Sequence, residues 1–594
     1  MIALLLAGLG ASDSAPREAH APPAPISDIR YEVTFDAAAA RTRTLAVTMS
    51  FRTGGAEPVL LSLPNWTPGA YEVSDYAKRV SDFAASSDGS QLKWDKTDPD
   101  TWRVFAGANR GVRVSFTFAA DTLDNAMAWA RPDFLLVNGT NVFLYPEGQS
   151  LDFRATVSWK TEPDWKIATG MHAATPARSY TEGNYHDLVD MPFFIGRFDL
   201  DSSQVEGRWT RLATYPAGAL SGDARRNAWR DIARAIPAEV KVFRETPWDT
   251  YTIMMIFDAS FPGGSALEHQ NSHVGVYTPG IIGSPILISI TAHEIFHAWN
   301  VKRLRPADMW PYRYEGPQPT TLLWMSEGIT DYYADLALVR GGVIDSSVFL
   351  QLTQEKIDNV SQARPVALED ASLSTWIHPA DGTGYLYYPK GSLAGLMLDL
   401  VIRDATDNRR SLDDVMRELY QSAYKAGRGF TNDEFWKVAA AQAGKPLQDF
   451  YDRYVDGREP YPWAAILPLA GLRFRADTIR EPRLGTQVAE DSGRIRVVAV
   501  VPGSVAEQAG VKVGDELVAV GEVKVTSPEF GVDFRTRYAK RDGESLDLVV
   551  RRDGKPTTLK AVVRVVARVE GGLGFDPAAG AKALRVRAGV LRGS

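Results

Sequence analysis

The residues of this chain best placed to do chemistry are His293-Glu294-Ile295-Phe296-His297, two histidines four positions apart with a glutamate beside the first. On a helix both imidazoles would project from one face, one turn apart. That separation suits two corners of a tetrahedral zinc site, and one zinc ion per chain is expected. Glu294 would reach the water that the metal activates and serve as general base. A catalytic zinc also needs a third protein ligand and an open position. Glu327 is the best candidate, because it opens a helix predicted over Leu322–Val339 in Trp324-Met-Ser-Glu-Gly-Ile-Thr-Asp331. Asp331 lies four residues on, where it could accept the free N–H of a zinc histidine, His293 in the first instance, and fix its tautomer. Glu315 is a rival ligand, but it sits in a Pro/Gly-flanked loop with no such partner. His269 and His273 read as structural or supporting groups rather than ligands.

Composition narrows what surrounds these residues. A chain of 594 residues is too long for one core, so three or four domains are expected. Hydrophobic content of 45% and charged content of 23% are ordinary for a globular protein. A net charge of −7 leaves no basic footprint for nucleic acid. There is no cysteine, which excludes disulfides, thiolate metal sites and thiol nucleophiles. The start, Met1 to Ser12, reads as the apolar region and small-residue end of a secretory signal lacking its basic segment, since no Lys or Arg precedes Arg17. Export, to the periplasm, is the expectation. No later stretch gives eighteen uninterrupted apolar residues.

The elements that must position the motif follow from patterning. Residues 1–26 form the leader and a Pro/Ala-rich linker. Period-two alternation in Tyr31-Glu-Val-Thr-Phe, Leu45-Ala-Val-Thr-Met-Ser-Phe and Val112-Arg-Val-Ser-Phe-Thr-Phe predicts a β-sandwich over 27–205. Its loop Pro64-Asn-Trp-Thr-Pro-Gly-Ala-Tyr71 reads as a rigid aromatic turn rather than a catalytic group. Residues 206–460 predict an α+β core with a helical lobe. It begins with a helix over Asp223–Glu245, broken or kinked at Pro237, and a buried strand at Tyr251–Phe257. Further helices are predicted at Ser347–Val360, Gly391–Asp404, Ser411–Lys425, Asn432–Ala443 and Leu447–Val455. Residues 461–570 form a last β-rich domain, and 571–594 read as a mobile tail.

Several segments then carry a resemblance. Val501-Pro-Gly-Ser through Gly514-Asp-Glu-Leu resembles the PDZ family, which implies a groove that adds a peptide as an extra strand. Arg483-Leu-Gly-Thr486 is then the candidate carboxylate loop, and Gly572-Leu-Gly-Phe575 a decoy. The His, Glu, His, Glu arrangement resembles the gluzincin metallopeptidases. Leu267-Glu268-His269 is similar to the amine-binding motif of their aminopeptidases, and Tyr388-Pro-Lys-Gly391 to their Tyr-x-Lys-Gly motif. Trp66-Thr-Pro-Gly69, Ala298-Trp-Asn-Val-Lys-Arg303 and the PDZ-like segment together resemble the M61 glycyl aminopeptidases. The resemblance implies a thermolysin-like fold for the core. It also implies zinc on His293, His297 and Glu327, Glu294 as base, Tyr388 as oxyanion donor and Glu268 as anchor for a substrate ammonium. Tyr385 and Tyr387 remain alternatives to Tyr388. Gly264 and Ser265 would line the substrate, although Ser265 stands where the alanyl aminopeptidase pattern has glycine. The loop Arg305–Thr320 lengthens the gap between His297 and Glu327.

The resulting expectation is a zinc aminopeptidase that removes small N-terminal residues, glycine and alanine, from peptides with a free amine. An endopeptidase that recruits peptide tails through the PDZ-like domain is the alternative, and a non-catalytic peptide binder the third reading. The sequence leaves the oligomeric state open.

Overall fold

The computed structural model describes residues 22–491, 494–526 and 530–593, so the signal-like start lies outside the described residues. Among them no helix is long and apolar enough to cross a membrane. The alternation in the N-terminal strands is realised as burial. In Thr44–Thr53 the side chains of Leu45, Val47, Met49 and Phe51 are buried, and they pair in antiparallel register with Phe118, Phe116, Val114 and Val112 of Gly111–Ala119. These strands lie inside an eight-stranded sheet, and two four-stranded sheets complete the domain, so the expected sandwich contains three sheets.

Strand Asp199–Val205 corrects the first boundary. It pairs with Arg208–Tyr215 in a separate five-stranded sheet, so the N-terminal domain ends just before it rather than at 205. In that sheet the order is Asp199–Val205, Arg208–Tyr215, Thr250–Phe257, Ser272–Tyr277, Gly264–His269. The three middle strands run parallel, and the two edges, Asp199–Val205 and Gly264–His269, are antiparallel. Trp129, Phe134, Leu136 and Phe194 of the N-terminal domain share one apolar cluster with Met254, Ile256, Val274 and Val276 of this sheet. The two layers therefore cannot separate without exposing a core.

The helices around the motif meet through small side chains. Ala235 and Ala238 of helix Gly222–Phe243, Ala292 of Pro285–Phe296, and Ala334, Ala337 and Leu338 of Thr330–Arg340 form one buried cluster. Small side chains let the three helix axes approach. Pro237 does not break Gly222–Phe243, contrary to expectation. Ile232, Ala235 and Ile236 before it and Ala238, Val242 and Phe243 after it are all buried, and this packing outweighs the lost backbone hydrogen bond.

The chain end differs most from expectation. It divides into one unit of residues 1–471 with 578–594, and a second unit of 472–577. Residues 461–471 thus belong with the first unit rather than the PDZ-like domain. The supposed mobile tail contains helix Ala581–Arg592, which buries Val586, Gly589 and Val590 on the first unit. Arg340 donates to the Val590 carbonyl, and Lys582 and Arg585 pair with Asp404 and Asp407. The signal was an apolar repeat at the spacing of one helical turn within a basic segment, short enough to read as tail. Deleting residues 578–594 should lower the melting temperature of the purified protein by several degrees, because two buried valines alone contribute roughly 3–6 kcal/mol. An unchanged melting curve would show that this helix contributes nothing to stability.

The second unit has its own core, including Val497, Leu517, Val520, Phe534, Leu548 and Val550. Thr486–Asp491 is the edge of its main sheet, and Gly572–Phe575 lies inside strand Val565–Phe575, paired with Leu472–Pro482, rather than in a binding loop.

Candidate metal and substrate site

Ser284 caps helix Pro285–Phe296, which carries His293 and Glu294; His297 occupies its C-cap in right-handed helical conformation, so the one-turn spacing survives the helix end. Glu327 lies in a π-helical turn, Trp324–Ile329, just before helix Thr330–Arg340. The three groups converge. His293 Nε2 and His297 Nε2 are 2.9 Å apart, and Glu327 Oε2 stands 3.3 Å from the first and 3.2 Å from the second. Ligand atoms about 2.0–2.2 Å from a tetrahedral zinc lie about 3.3–3.6 Å from one another, so this triangle fits that ion with little adjustment. Buried carboxylates strengthen the fit. Glu294 Oε2 and Glu268 Oε1 are both buried without a hydrogen-bond partner, and each adjoins His297 closely enough to belong to one further cluster of candidate ligand atoms. Such a concentration of negative groups calls for a cation.

Asn300 ties the two ligand-bearing segments together. Its carbonyl accepts a 2.7 Å hydrogen bond from His297 Nδ1, which leaves Nε2 facing the site. Its side-chain amide donates to the Met325 carbonyl at 2.9 Å and to Thr330 Oγ1 at 3.0 Å, on either side of Glu327. Asp331 is placed differently from expectation. Its Oδ1 is 4.0 Å from His293 Nδ1, beyond hydrogen-bond reach, and its Oδ2 is taken by Lys356 at 2.6 Å. The Lys356 ammonium, held between Asp331 and Asp335, takes that carboxylate in place of the imidazole. Glu315 lies outside the cluster, and Asn65 donates to its backbone carbonyl.

Tyr388 enters because two helices touch backbone to backbone. A Cβ on Gly328 would meet the Tyr387 carbonyl at 2.4 Å and Gly391 Cα at 2.5 Å, so only glycine permits this approach. The contact starts helix Tyr387–Ala405 beside the motif and sets the Tyr388 ring 5.9 Å from that of His293. Tyr385 is 71% exposed, and Tyr387 is buried against Thr375 with its hydroxyl 3.3 Å from Oγ1. Of the three tyrosines, Tyr388 is the one whose ring lies beside that of a candidate ligand, tilted by 36°. Burial and the nearby charge of Glu327 push its phenol far up, so it remains a donor at neutral pH.

Glu268 sits on the edge strand opposite His273 in register. Burial raises its carboxyl above the usual range, opposed by Lys302, whose Nζ is 3.8 Å away. Lys302 is itself fully buried and held by Asp190 at 2.9 Å. Burial likewise pushes Glu294 well up, with His297 opposing. Burial acts against the charge of Glu327 too, but His297 and hydrogen bonds from both histidines hold its carboxyl well below the carboxylate range. His269 and His273 are committed elsewhere, to Asp190 at 3.2 Å and the Tyr251 hydroxyl at 3.1 Å. Ser265 Oγ accepts from Asn125 at 2.8 Å, and Gly264 opens the same strand. A cleft of about 500 Å³ runs past Ser265–Leu267, Tyr71, Tyr385 and Tyr388.

Three family models match the chain: the peptidase M61 N-terminal domain at residues 30–197, M61 glycyl aminopeptidase at 286–394 and a PDZ domain at 496–552. Two of the three are M61 models, and they match the N-terminal domain and the segment that carries His293, His297, Glu327 and Tyr388. Its fold is shared with an aminopeptidase N family protein from Idiomarina loihiensis, at a TM-score of 0.72 and 23% identity over 94% of this chain and 99% of that one. An M1 zinc metallopeptidase from Deinococcus radiodurans aligns at a TM-score of 0.48 and 16% identity, covering 73% of this chain and 94% of its own. A Brucella suis biovar 1 protein that carries a zinc-metalloprotease name is 35% identical over 86 residues. That match spans 14% of this chain and 21% of the relative.

The sequence reading missed Asn300 as a link and Lys302 as the neighbour of Glu268, and it placed Tyr71 in a structural turn rather than in the site. All three lie in segments whose composition is conspicuous. Nothing in the linear order says what they touch.

Proposed function

We propose that this protein is a zinc aminopeptidase that releases small N-terminal residues, glycine and alanine, from peptides. The observation that carries this is the buried carboxylate of Glu268 beside the triangle of His293, His297 and Glu327. Bound by those three residues, one zinc ion would supply Lewis acidity toward a peptide carbonyl and toward water. Glu294 accepts the proton of the attacking water and passes it to the leaving nitrogen. Its buried setting supports this role, since a carboxylate with raised proton affinity is a stronger base. Tyr388 donates to the carbonyl oxygen as negative charge develops there. Glu268 pairs with the substrate ammonium, and the edge strand from Glu268 back to Gly264 aligns the chain beyond it. The match to the M61 glycyl aminopeptidase model at residues 286–394 supports a preference for small side chains.

The PDZ domain supports a second role for peptide, laid along the free edge Thr486–Asp491 beside the Arg483–Thr486 loop. The signal-like start supports a periplasmic location.

Hydrolysis of Gly-p-nitroanilide compared with its N-acetyl form tests the reading. Activity is expected on the free amine alone, to be lost with a zinc chelator and restored by added zinc. Comparable turnover of the acetylated substrate would replace the aminopeptidase by the endopeptidase reading.

A further inference from the structure

The loop Pro64–Tyr71 belongs to the N-terminal domain, and it was expected to be a structural turn. Three of its groups end in the site instead. The Tyr71 hydroxyl donates to Glu327 Oε1 at 2.7 Å, a fully internal contact between residues 256 positions apart. Gly69, at φ 106°, lays its Cα so close to Glu268 that a Cβ would stand 2.5 Å from both carboxylate oxygens. The Pro68 carbonyl accepts from Lys302 Nζ at 3.2 Å.

The loop is fixed from outside. Asn65 N donates to the Tyr314 carbonyl and Trp66 Nε1 to the Arg313 carbonyl, each at 2.8 Å. The Trp66 ring packs edge-on against Tyr312 and Trp376. The segment Arg305–Thr320, which lengthens the gap between His297 and Glu327, is thus the seat of this loop. Tyr71 itself has φ 49°, a left-handed backbone that a bulky side chain seldom adopts. Such conformations persist where surroundings impose them, and they cluster at functional sites.

We propose that Tyr71 is a positioning residue for Glu327, so that the N-terminal domain forms a necessary wall of the metal site. The proposal rests on reading Glu327 as a ligand. Glu327 turns Oε2 toward both histidines, and Tyr71 occupies Oε1. With its second oxygen held by a donor, the carboxylate is fixed in one rotamer and presents a single oxygen. Without that donor, the carboxylate can rotate and the ligand triangle loosens. Partners of this kind commonly govern affinity for the ion by 10–100-fold.

Tyr71→Phe removes the hydroxyl and keeps the ring against Trp376, 6.2 Å away. Zinc affinity is measured by competition with a chelator, and the melting temperature of the metal-free protein is measured alongside. The expected result is zinc binding about 10–100-fold weaker, with metal-free melting unchanged and part of the lost turnover recovered at saturating zinc. Native zinc affinity in Tyr71→Phe would overturn the proposal. Weaker binding accompanied by a large drop in metal-free melting temperature would also overturn it, by making Tyr71 a packing residue. Glu327→Ala, run in parallel, should lose far more affinity. If it too binds zinc as the native chain does, the ligand reading itself has failed.

Discussion

Glu294→Gln is expected to leave the protein folded and zinc-loaded while lowering kcat about 10²–10⁴-fold, the usual contribution of a positioned general base. The substitution conserves shape, and Glu294 supplies none of the three converging ligand atoms of His293, His297 and Glu327. Its Oε2 is buried with no hydrogen-bond partner, and burial raises its proton affinity. A neutral amide there relieves the cost of enclosing a charge, so the metal-free variant should melt no lower than the native chain. The pairing of outcomes matters: a general base can be removed without loss of metal or stability, a ligand or packing group cannot. Zinc content by atomic absorption and kcat on Gly-p-nitroanilide decide it. Undiminished turnover with zinc in place would remove Glu294 from the reaction.

Glu268→Gln should act on a different parameter. A buried carboxylate paired with an ammonium loses about 3–5 kcal/mol when one partner goes. That corresponds to a fall in kcat/KM for free-amine substrates of roughly 10²–10⁴-fold, carried largely by KM. Zinc affinity should stay native. Lys302 keeps Asp190 as its partner at 2.9 Å, so the substitution strands no other charge. The ratio of rates on free and acetylated substrates should therefore collapse, whereas Glu294→Gln should leave the KM for the free amine near native. If Glu268→Gln keeps its KM for Gly-p-nitroanilide, the amine is held by something else.

How much of this was legible depended on how locally each feature is encoded. The His293–His297 spacing is a property of one helix turn, so its geometry follows from helical periodicity alone. The N-terminal strands were legible through alternation, which burial of Leu45, Val47, Met49 and Phe51 reproduces residue by residue. Helices closed by clear caps were located closely: Asn432–Ala443 stands where it was predicted, opened by a capping box of Thr431 and Glu434. Helix Ala581–Arg592 was missed because a short basic segment gains helical structure mainly by docking its apolar face. The break expected at Pro237 failed for the same reason, since packing on both sides held the helix.

The sequence by itself determined which groups could do chemistry: two histidines and a glutamate in helical spacing, a second glutamate downstream, and a third upstream in a resemblant motif. It could not assign their partners, because hydrogen bonds and ion pairs between distant segments leave no periodic trace. Asp331 was expected to orient His293, and Lys356 holds it instead. The orienting groups are Asn300, three residues past His297, and Tyr71, which lies 256 positions before Glu327. Only the tertiary structure decided that a loop of the N-terminal domain closes the site. That closure depends on an apolar core shared between two domains and on a glycine whose missing Cβ leaves room for Glu268. Both are facts of packing, and packing becomes visible only when the chain is folded.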